Sequence, residues 1–423
     1  MSTASPNTTG YDAITPDGRV HPSADGADAL AFAYLPAPTV QSHAANLATL
    51  PDGRLGCVWF GGTQEGVPDI SVWFSTLGRT ATGWDTTWSE PVRLTDDGTR
   101  SEQNPILFVH GTELWLLYTA QHAGNQDTSE VRRRISHDGG ASWGDTHTLF
   151  GATEEGGVFV RQPPVLIDGR LLVPIFRCVT VPGEKWVGNE DDSAVMVSDD
   201  DGATWTRQLV PGSLGCVHMN IHPLPDGTLL ALYRSRWADW IHSSHSTDGG
   251  ATWSEPVPTE LPNNNSSIQF TPLSDGRLAL IYNHSQAQAD TERRASLYDE
   301  IDDDGLADTQ ETLAEPVAPA AGAAGSDSAA DAGPKAFWGT PRAPLTVAIS
   351  EDGGHSWPIR RDLETGDGYC LSNNSRDGLN REFSYPSIHQ SADGQLQLAY
   401  TYFRQAIKYV RVSPDWVYGG GDA

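Results

Sequence analysis

Short apolar runs recur along this chain, each following a polar turn and ending in an aromatic residue: Leu55–Phe60, Leu114–Tyr118, Leu171–Phe176, Leu229–Tyr233, Leu278–Tyr282 and Leu396–Tyr400. Runs of five or six residues between turn signals have the length of strands and are too short for helices. A glycine marks the turn before each run. Gly53, Gly111, Gly169 and Gly227 stand 58 residues apart, Gly276 follows 49 later, and Gly394 comes 118 after that. A further strand, such as Asp69–Phe74 or Ser193–Val197, follows each run.

A second motif keeps step with the first. Ser-x-Asp-x-Gly-x-x-Trp occurs at Ser136–Trp143, Ser198–Trp205, Ser246–Trp253 and Ser350–Trp357. Its Asp can accept backbone N–H bonds inside a tight turn, its Gly tolerates positive φ, and its Trp buries a large apolar area beneath. Four strands per unit at a near-fixed period predict a propeller. Six turns predict six blades, so the fold expected is an all-β, six-bladed β-propeller over residues 29–423. Ala29–Tyr34 is the strand expected to close the ring by pairing with the last blade. Residues 1–28 read as a loose polar arm. A low-complexity insertion at about 300–336 interrupts the fifth blade and accounts for the long last interval.

Composition narrows the partners. The 423 residues carry a net charge of −28, which argues against nucleic acid and anionic membranes. No apolar stretch has membrane length and the amino-terminal residues are polar, so a cytoplasmic location is expected. Cys57, Cys178, Cys216 and Cys370 lack metal-ligand spacing and read as free thiols. Glu300–Glu311 partly matches the ligand spacing of a calcium loop, but its first position is Glu and no amphipathic helix flanks it; a solvated acidic loop is the better reading. No metal or cofactor is assigned.

In a propeller the innermost strands line the axis, so functional groups are expected just upstream of each turn. Asn46, Asn104, Gln162, Asn220 and Gln269 all stand seven residues before a turn glycine, with Ser387 in the sixth blade. Beside them lie His43, Gln103, Arg161, His218, Asn263, Asn264, Asn265, Arg381, Glu382 and Tyr385. So many polar groups facing one cavity imply a polar ligand. Arg177, Arg234 and Arg236 form a second ring at the ends of the following strands, where a buried guanidinium needs an anionic partner, either a structural Asp such as Asp239 or a substrate carboxylate.

The Asp-box hairpins, the six-blade count and the stretches His43–Leu47, Trp59–Ser71, Arg161–Pro164, Cys216–Asn220, Leu261–Ser266 and Glu382–Ser387 together resemble the sialidase superfamily, in particular the bacterial BNR-repeat sialidase-like proteins. The resemblance implies a retaining exo-glycosidase acting on a terminal acidic sugar. On that reading Tyr385 is the nucleophile and Asp69 the acid/base, with Glu382 nearby. Arg161, Arg177, Arg234, Arg236 and Arg381 compete to clamp the sugar carboxylate, and Asn46, Asn104, Gln162, Asn220 and Asn264 contact the ligand. The chain departs from the family pattern in carrying His43 and Asn46 where an Arg-Ile-Pro motif is usual. Two other chemistries fit the same residues. A polysaccharide lyase cutting a rhamnose–glucuronate type of linkage could use His43, His218, Tyr385, Asn220 and an arginine. A non-catalytic carbohydrate-binding propeller could stack sugars on Trp59, Trp237 and Trp240.

Overall fold

A computed structural model describes residues 14–22, 30–80, 83–298, 333–366 and 382–419. Six antiparallel sheets each run outward from an inner strand. The inner strands are Gln41–Thr49, Ser101–His110, the split pair Gly156–Phe159 and Val165–Ile167, Cys216–Pro223, Gln269–Pro272 and Phe383–Gln390. Every apolar run read from the sequence is the second strand of its blade. Both faces of these second strands are covered, and Leu55–Gly62, Leu229–Ser235 and Leu278–Asn283 are buried along their whole length. Such strands read as continuous apolar runs because neighbouring blades pack on either side.

Ring closure follows the sequence reading. Ala31–Tyr34 pairs antiparallel with Ala406–Val412, placing Phe32 opposite Val410, so the last blade is completed from the amino-terminal side. The arm expected over residues 1–28 does not hold for residues 14–22. The Val20 N–H donates to Thr86 O at 2.8 Å, and His21–Pro22 pairs antiparallel with the closing strand on its outer side. Most of the insertion lies outside the described residues, as do Glu300–Glu311, Cys370 and Arg381. The insertion's last residues are described, and Ala336 is fully buried.

Each Asp-box hairpin is built as its chemistry predicts. Asp352 accepts from the Ser356 N–H at 2.9 Å and from the Ser356 and Ser350 hydroxyls, while Gly354 N–H donates to Ser350 Oγ. The same bonds recur at Asp138, Asp200 and Asp248. Trp253 and Trp357 are buried between blades, whereas Trp143 and Trp205 are half-buried. Cys57, Cys178 and Cys216 are buried free thiols. Among the described residues no helix is long and apolar enough to cross a membrane.

Candidate active site

One backbone irregularity recurs around the axis and aims the central side chains. In blade 1, His43 pairs with Phe60 and Asn46 with Val58, so Ala44 and Ala45 bulge from the inner strand. The same bulge lifts Asn104–Pro105 in blade 2, His218–Met219 in blade 4 and Tyr385–Pro386 in blade 6. The first residue of each bulge has positive φ: Ala44 59°, Asn104 49°, His218 56° and Tyr385 50°. A left-handed conformation at a non-glycine residue costs about 1–3 kcal/mol, and such strain gathers at functional sites.

Tyr385 is the hub. Its hydroxyl accepts a 2.6 Å hydrogen bond from Arg234 Nη1. The guanidinium carbons of Arg161, Arg234 and Arg342 lie 5.5, 5.5 and 5.3 Å from its ring centre. His43 lies 4.3 Å away and His218 5.7 Å, ring centre to ring centre. The apolar wall behind them includes Phe60, Phe176, Tyr298 and Trp338.

The ion pairs explain why the centre is positive. Glu382 accepts from Arg342 at 2.7 Å and from Arg404 at 3.0 Å, and Arg404 also pairs with Glu65 at 2.7 Å. Burial pushes the Glu382 carboxyl upward, but Arg404 and Arg342 overcome that and hold it well below the usual carboxylate range. Arg236 is matched by Asp191, both fully buried. Among the described residues Arg161 and Arg234 are bonded only by neutral groups: Arg161 donates to Ser267 Oγ and to the carbonyls of Ala45, Tyr385 and Pro386, and Arg234 to Asn265 Oδ1, Tyr385 Oη and, at 3.5 Å, His218 Nε2. Burial pushes both guanidiniums down to about 10, so both remain charged at neutral pH. Among the described residues, five guanidiniums therefore face three carboxylates, leaving two positive charges around Tyr385 in a chain of net charge −28.

Four buried polar atoms here have no hydrogen-bond partner among the described residues: His43 Nε2, His218 Nδ1, Arg161 Nη1 and Arg234 Nη2. His43 Nδ1 is bonded to Thr401 Oγ1 at 2.8 Å. Burial drives both imidazoles well below their ordinary range, with Arg404 adding to it at His43 and Arg234 at His218. Both rings are neutral, and each keeps one ring nitrogen available.

Several residues expected at the ligand are engaged elsewhere. Asn46 Oδ1 accepts from Leu107 N–H in the next blade at 3.0 Å, and Asn220 Oδ1 from Phe270 N–H at 2.7 Å. Gln162 donates to Ile268 O and accepts from Gln269, whose Oε1 takes the Ile388 N–H. Ser387 completes the stitching by accepting from Leu47 N–H. The amide ring ties neighbouring blades together, so the ligand-facing role expected of Asn46, Gln162 and Asn220 is replaced by a structural one. Asn264 Nδ2 bonds Pro341 O and Asn265 Nδ2 bonds Phe337 O, anchoring residues 333–344 over the cluster. Arg177 is turned outward to Asp192 and Glu155, and Arg236 is neutralised by Asp191 rather than Asp239, so neither is placed to clamp a substrate. Trp59 is fully buried in a blade core and cannot stack on a sugar. Asp69 is exposed on the loop after Gly62, where both its oxygens accept from Thr63 N–H.

Sequence reasoning missed Arg342, Arg404 and Glu65. Glu65 was visible as the other acid in the Asp69 loop. Arg404 sits where a second-ring arginine was sought in other blades. Arg342 follows the low-complexity insertion, where no period marks its place.

Six blades around an axial, arginine-rich centre define a sialidase-like β-propeller. The model of the BNR repeat-like domain matches residues 53–398, and the chain belongs to that family. Over 176 residues it is 28% identical to the anhydrosialidase of Macrobdella decora, a stretch covering 38% of this chain and 22% of that protein. The chain thus matches about a fifth of that relative's length. Among solved structures it is similar to the Hadza microbial sialidase Hz136, with TM-score 0.62 and 14% identity over 89% of this chain and 66% of the other. It is also similar to the intramolecular trans-sialidase of Ruminococcus gnavus, with TM-score 0.59 and 15% identity over 90% and 96% of the two chains.

Proposed function

We propose that this protein is a sialidase-type glycosidase that releases a terminal acidic sugar by a retaining mechanism with Tyr385 as nucleophile. The observation that carries this reading is the pair of buried, charged guanidiniums, Arg161 and Arg234, that meet no carboxylate among the described residues beside the Tyr385 hydroxyl. A buried guanidinium without a counter-ion is costly, and a substrate carboxylate offsets that cost. Arg161 and Arg234 grip the carboxylate, with Arg342, held by Glu382, beside them. Glu382 positions Arg342 and Arg404.

Attack by Tyr385 Oη on the anomeric carbon forms the tyrosyl–sugar bond as the bond to the leaving oxygen breaks. Asp69 donates the proton that the leaving oxygen needs, and the phenolic proton passes to the neutral His218. A neutral nucleophile suits a centre flanked by the sugar's own carboxylate, which would repel an anionic one. In the second half-reaction Asp69 takes a proton from water as it attacks the anomeric carbon, and Tyr385 recovers its own from His218.

A second reading, β-elimination at a glucuronate, is favoured by one observation: two neutral imidazoles, each with an unpartnered nitrogen, flank Tyr385. Release of fluorophore from an α-sialoside between pH 4 and 8 supports the first reading, and its absence overturns it. Absorbance near 235 nm from a glucuronate-terminated glycan identifies the second. Binding of an acidic sugar with neither signal, unchanged in Tyr385→Phe, leaves a non-catalytic carbohydrate-binding propeller.

A further inference from the structure

The two neutral imidazoles beside Tyr385 have their tautomers fixed in different ways, yet both carry a hydrogen on the unpartnered nitrogen. At His43 the deciding partner is Thr401. Its hydroxyl oxygen accepts the Ala44 N–H at 3.1 Å and lies 2.8 Å from His43 Nδ1. Among the described residues this fully buried hydroxyl has no acceptor for its own hydrogen other than Nδ1. A buried donor left unmade is costly, so Thr401 donates to Nδ1 and the hydrogen of the neutral ring sits on Nε2. Glu382 Oε1 would favour the opposite tautomer. It lies 3.8 Å from Nδ1, beyond hydrogen-bond reach, and already accepts from Arg342 and Ser384.

His218 is fixed by charge. Its Nε2 faces Arg234 Nη1 at 3.5 Å, and a guanidinium only donates. Nε2 therefore keeps the lone pair, which the proton-accepting role given to His218 requires, and the hydrogen sits on Nδ1. The four unpartnered atoms against Tyr385 are thus His43 Nε2, His218 Nδ1, Arg161 Nη1 and Arg234 Nη2, all of them buried donors. Their groups share one space. The two imidazoles lie 4.3 and 5.7 Å from the Tyr385 ring centre and the two guanidinium carbons 5.5 Å, and Arg161 acts electrostatically on both imidazoles. An ionised carboxylate is the complementary group, because it only accepts and does so through about four lone-pair sites. An imidazole N–H also adds a donor without adding a third uncompensated charge beside Arg161 and Arg234.

We infer that the substrate carboxylate is held by two guanidiniums and two neutral imidazoles, with the His43 Nε2–H as the specificity-determining donor at the blade 1 position where this chain departs from the family pattern. The assignment rests on the acidic-sugar reading above and deepens it. Thr401 is a positioning residue that acts through His43. Neither unpartnered imidazole nitrogen is then a base, since each already carries the hydrogen of its neutral ring.

Long-range 1H–15N correlation spectra of the full chain carrying 15N-labelled histidine read both tautomers without any substrate, with His43→Gln and His218→Gln supplying the assignments. Wild type at neutral pH shows hydrogen on Nε2 of His43 and on Nδ1 of His218. Thr401→Val, which removes the donor at nearly constant shape, shifts His43 toward the Nδ1 tautomer. Hydrogen on His43 Nδ1 in wild type overturns the assignment. Calorimetric titration with N-acetylneuraminate and with its methyl ester tests the ligand. His43→Phe weakens binding of the free acid by about tenfold or more, as loss of a hydrogen bond to a charged acceptor requires. His43→Gln, whose amide N–H can take the place of Nε2–H, recovers most of it. Thr401→Val is the second variant should His43→Phe fail to fold, and it weakens the acid in the same direction. The ester, which lacks an ionised carboxylate, binds weakly to all variants alike. No rescue by Gln, or equal losses for acid and ester, marks His43 as merely structural and overturns the assignment. Sialoside release by a wild type whose affinity for the acid is indifferent to His43→Phe also overturns it and leaves the glycosidase reading standing. Binding of glucuronate in place of N-acetylneuraminate, lost in His43→Phe and without sialoside release, leaves the four donors standing and removes the sialidase reading instead.

Discussion

Tyr385 occupies a backbone conformation that tyrosine rarely adopts, at φ 50° on a bulge, and its hydroxyl is held by a charged donor. Replacing it with Phe removes one oxygen and leaves the bulge, the ring packing and the fold in place. Loss of a nucleophile of this kind lowers kcat by about 10^3-fold or more, with an unchanged melting temperature as the control. Glu382→Gln leaves Arg342 and Arg404 with one fewer carboxylate between them, so KM for the acidic substrate shifts more than kcat. The imidazoles set an acid limit. Burial holds His43 and His218 well below their ordinary range, and His222 is pushed down to about 4. A histidine whose folded value is depressed is protonated first in the unfolded chain. Stability is therefore full above about pH 6.5 and falls as pH drops below it toward the folded values. The urea midpoint should decline from pH 7 to 4, and His222→Gln should flatten that decline.

The Asp-box hairpins respond to a different window. Hydrogen bonds from the hydroxyls of Ser142, Thr204, Thr252 and Ser356, joined by backbone N–H groups, hold Asp138, Asp200, Asp248 and Asp352 at about 2. A carboxylate with a depressed folded value stabilises above its unfolded value near 3.8 and loses that contribution as pH falls toward 2. Asp352→Asn should remove the part of the acid transition that lies between those limits. Ser350→Ala takes away both a donor to Asp352 and the acceptor of Gly354 N–H, and should cost about 1–2 kcal/mol in denaturant unfolding. These hairpins were legible in the sequence because all their groups lie within eight residues. The turn at Phe403 and Arg404 was not. Both residues have positive φ without being glycine, so the usual marker of a tight turn is missing and Arg404 stayed hidden. The partners of Arg236 and Arg404 come from Asp191 and Glu65, on other blades, and no local spacing announces such pairs.

For the propeller as a body, the periodic part of the sequence was enough because each blade repeats the same local solution. The axial amides show where that reading stopped. Their common spacing was correctly seen as a ring, yet a ring of polar groups serves equally to bind a ligand or to stitch blades, and only cross-blade geometry separates the two. The stitching accounts for Asn46, Gln162 and Asn220. Closure depends on Ala31–Tyr34. A variant lacking residues 1–35 would expose the edge of Ala406–Val412, whose unpaired backbone groups invite association between chains. Size-exclusion chromatography of that variant should show aggregates, or a fold without a single cooperative transition.

That closing strand is synthesised five blades ahead of its partner. For the time it takes to synthesise the five blades between them it has no mate, and the last pairing to form joins residues some 375 positions apart, such as Phe32 and Val410. Maturation of the propeller is thus gated by synthesis of its sixth blade, and a chain truncated within that blade would forfeit closure of the circle as well as the strands it lacks.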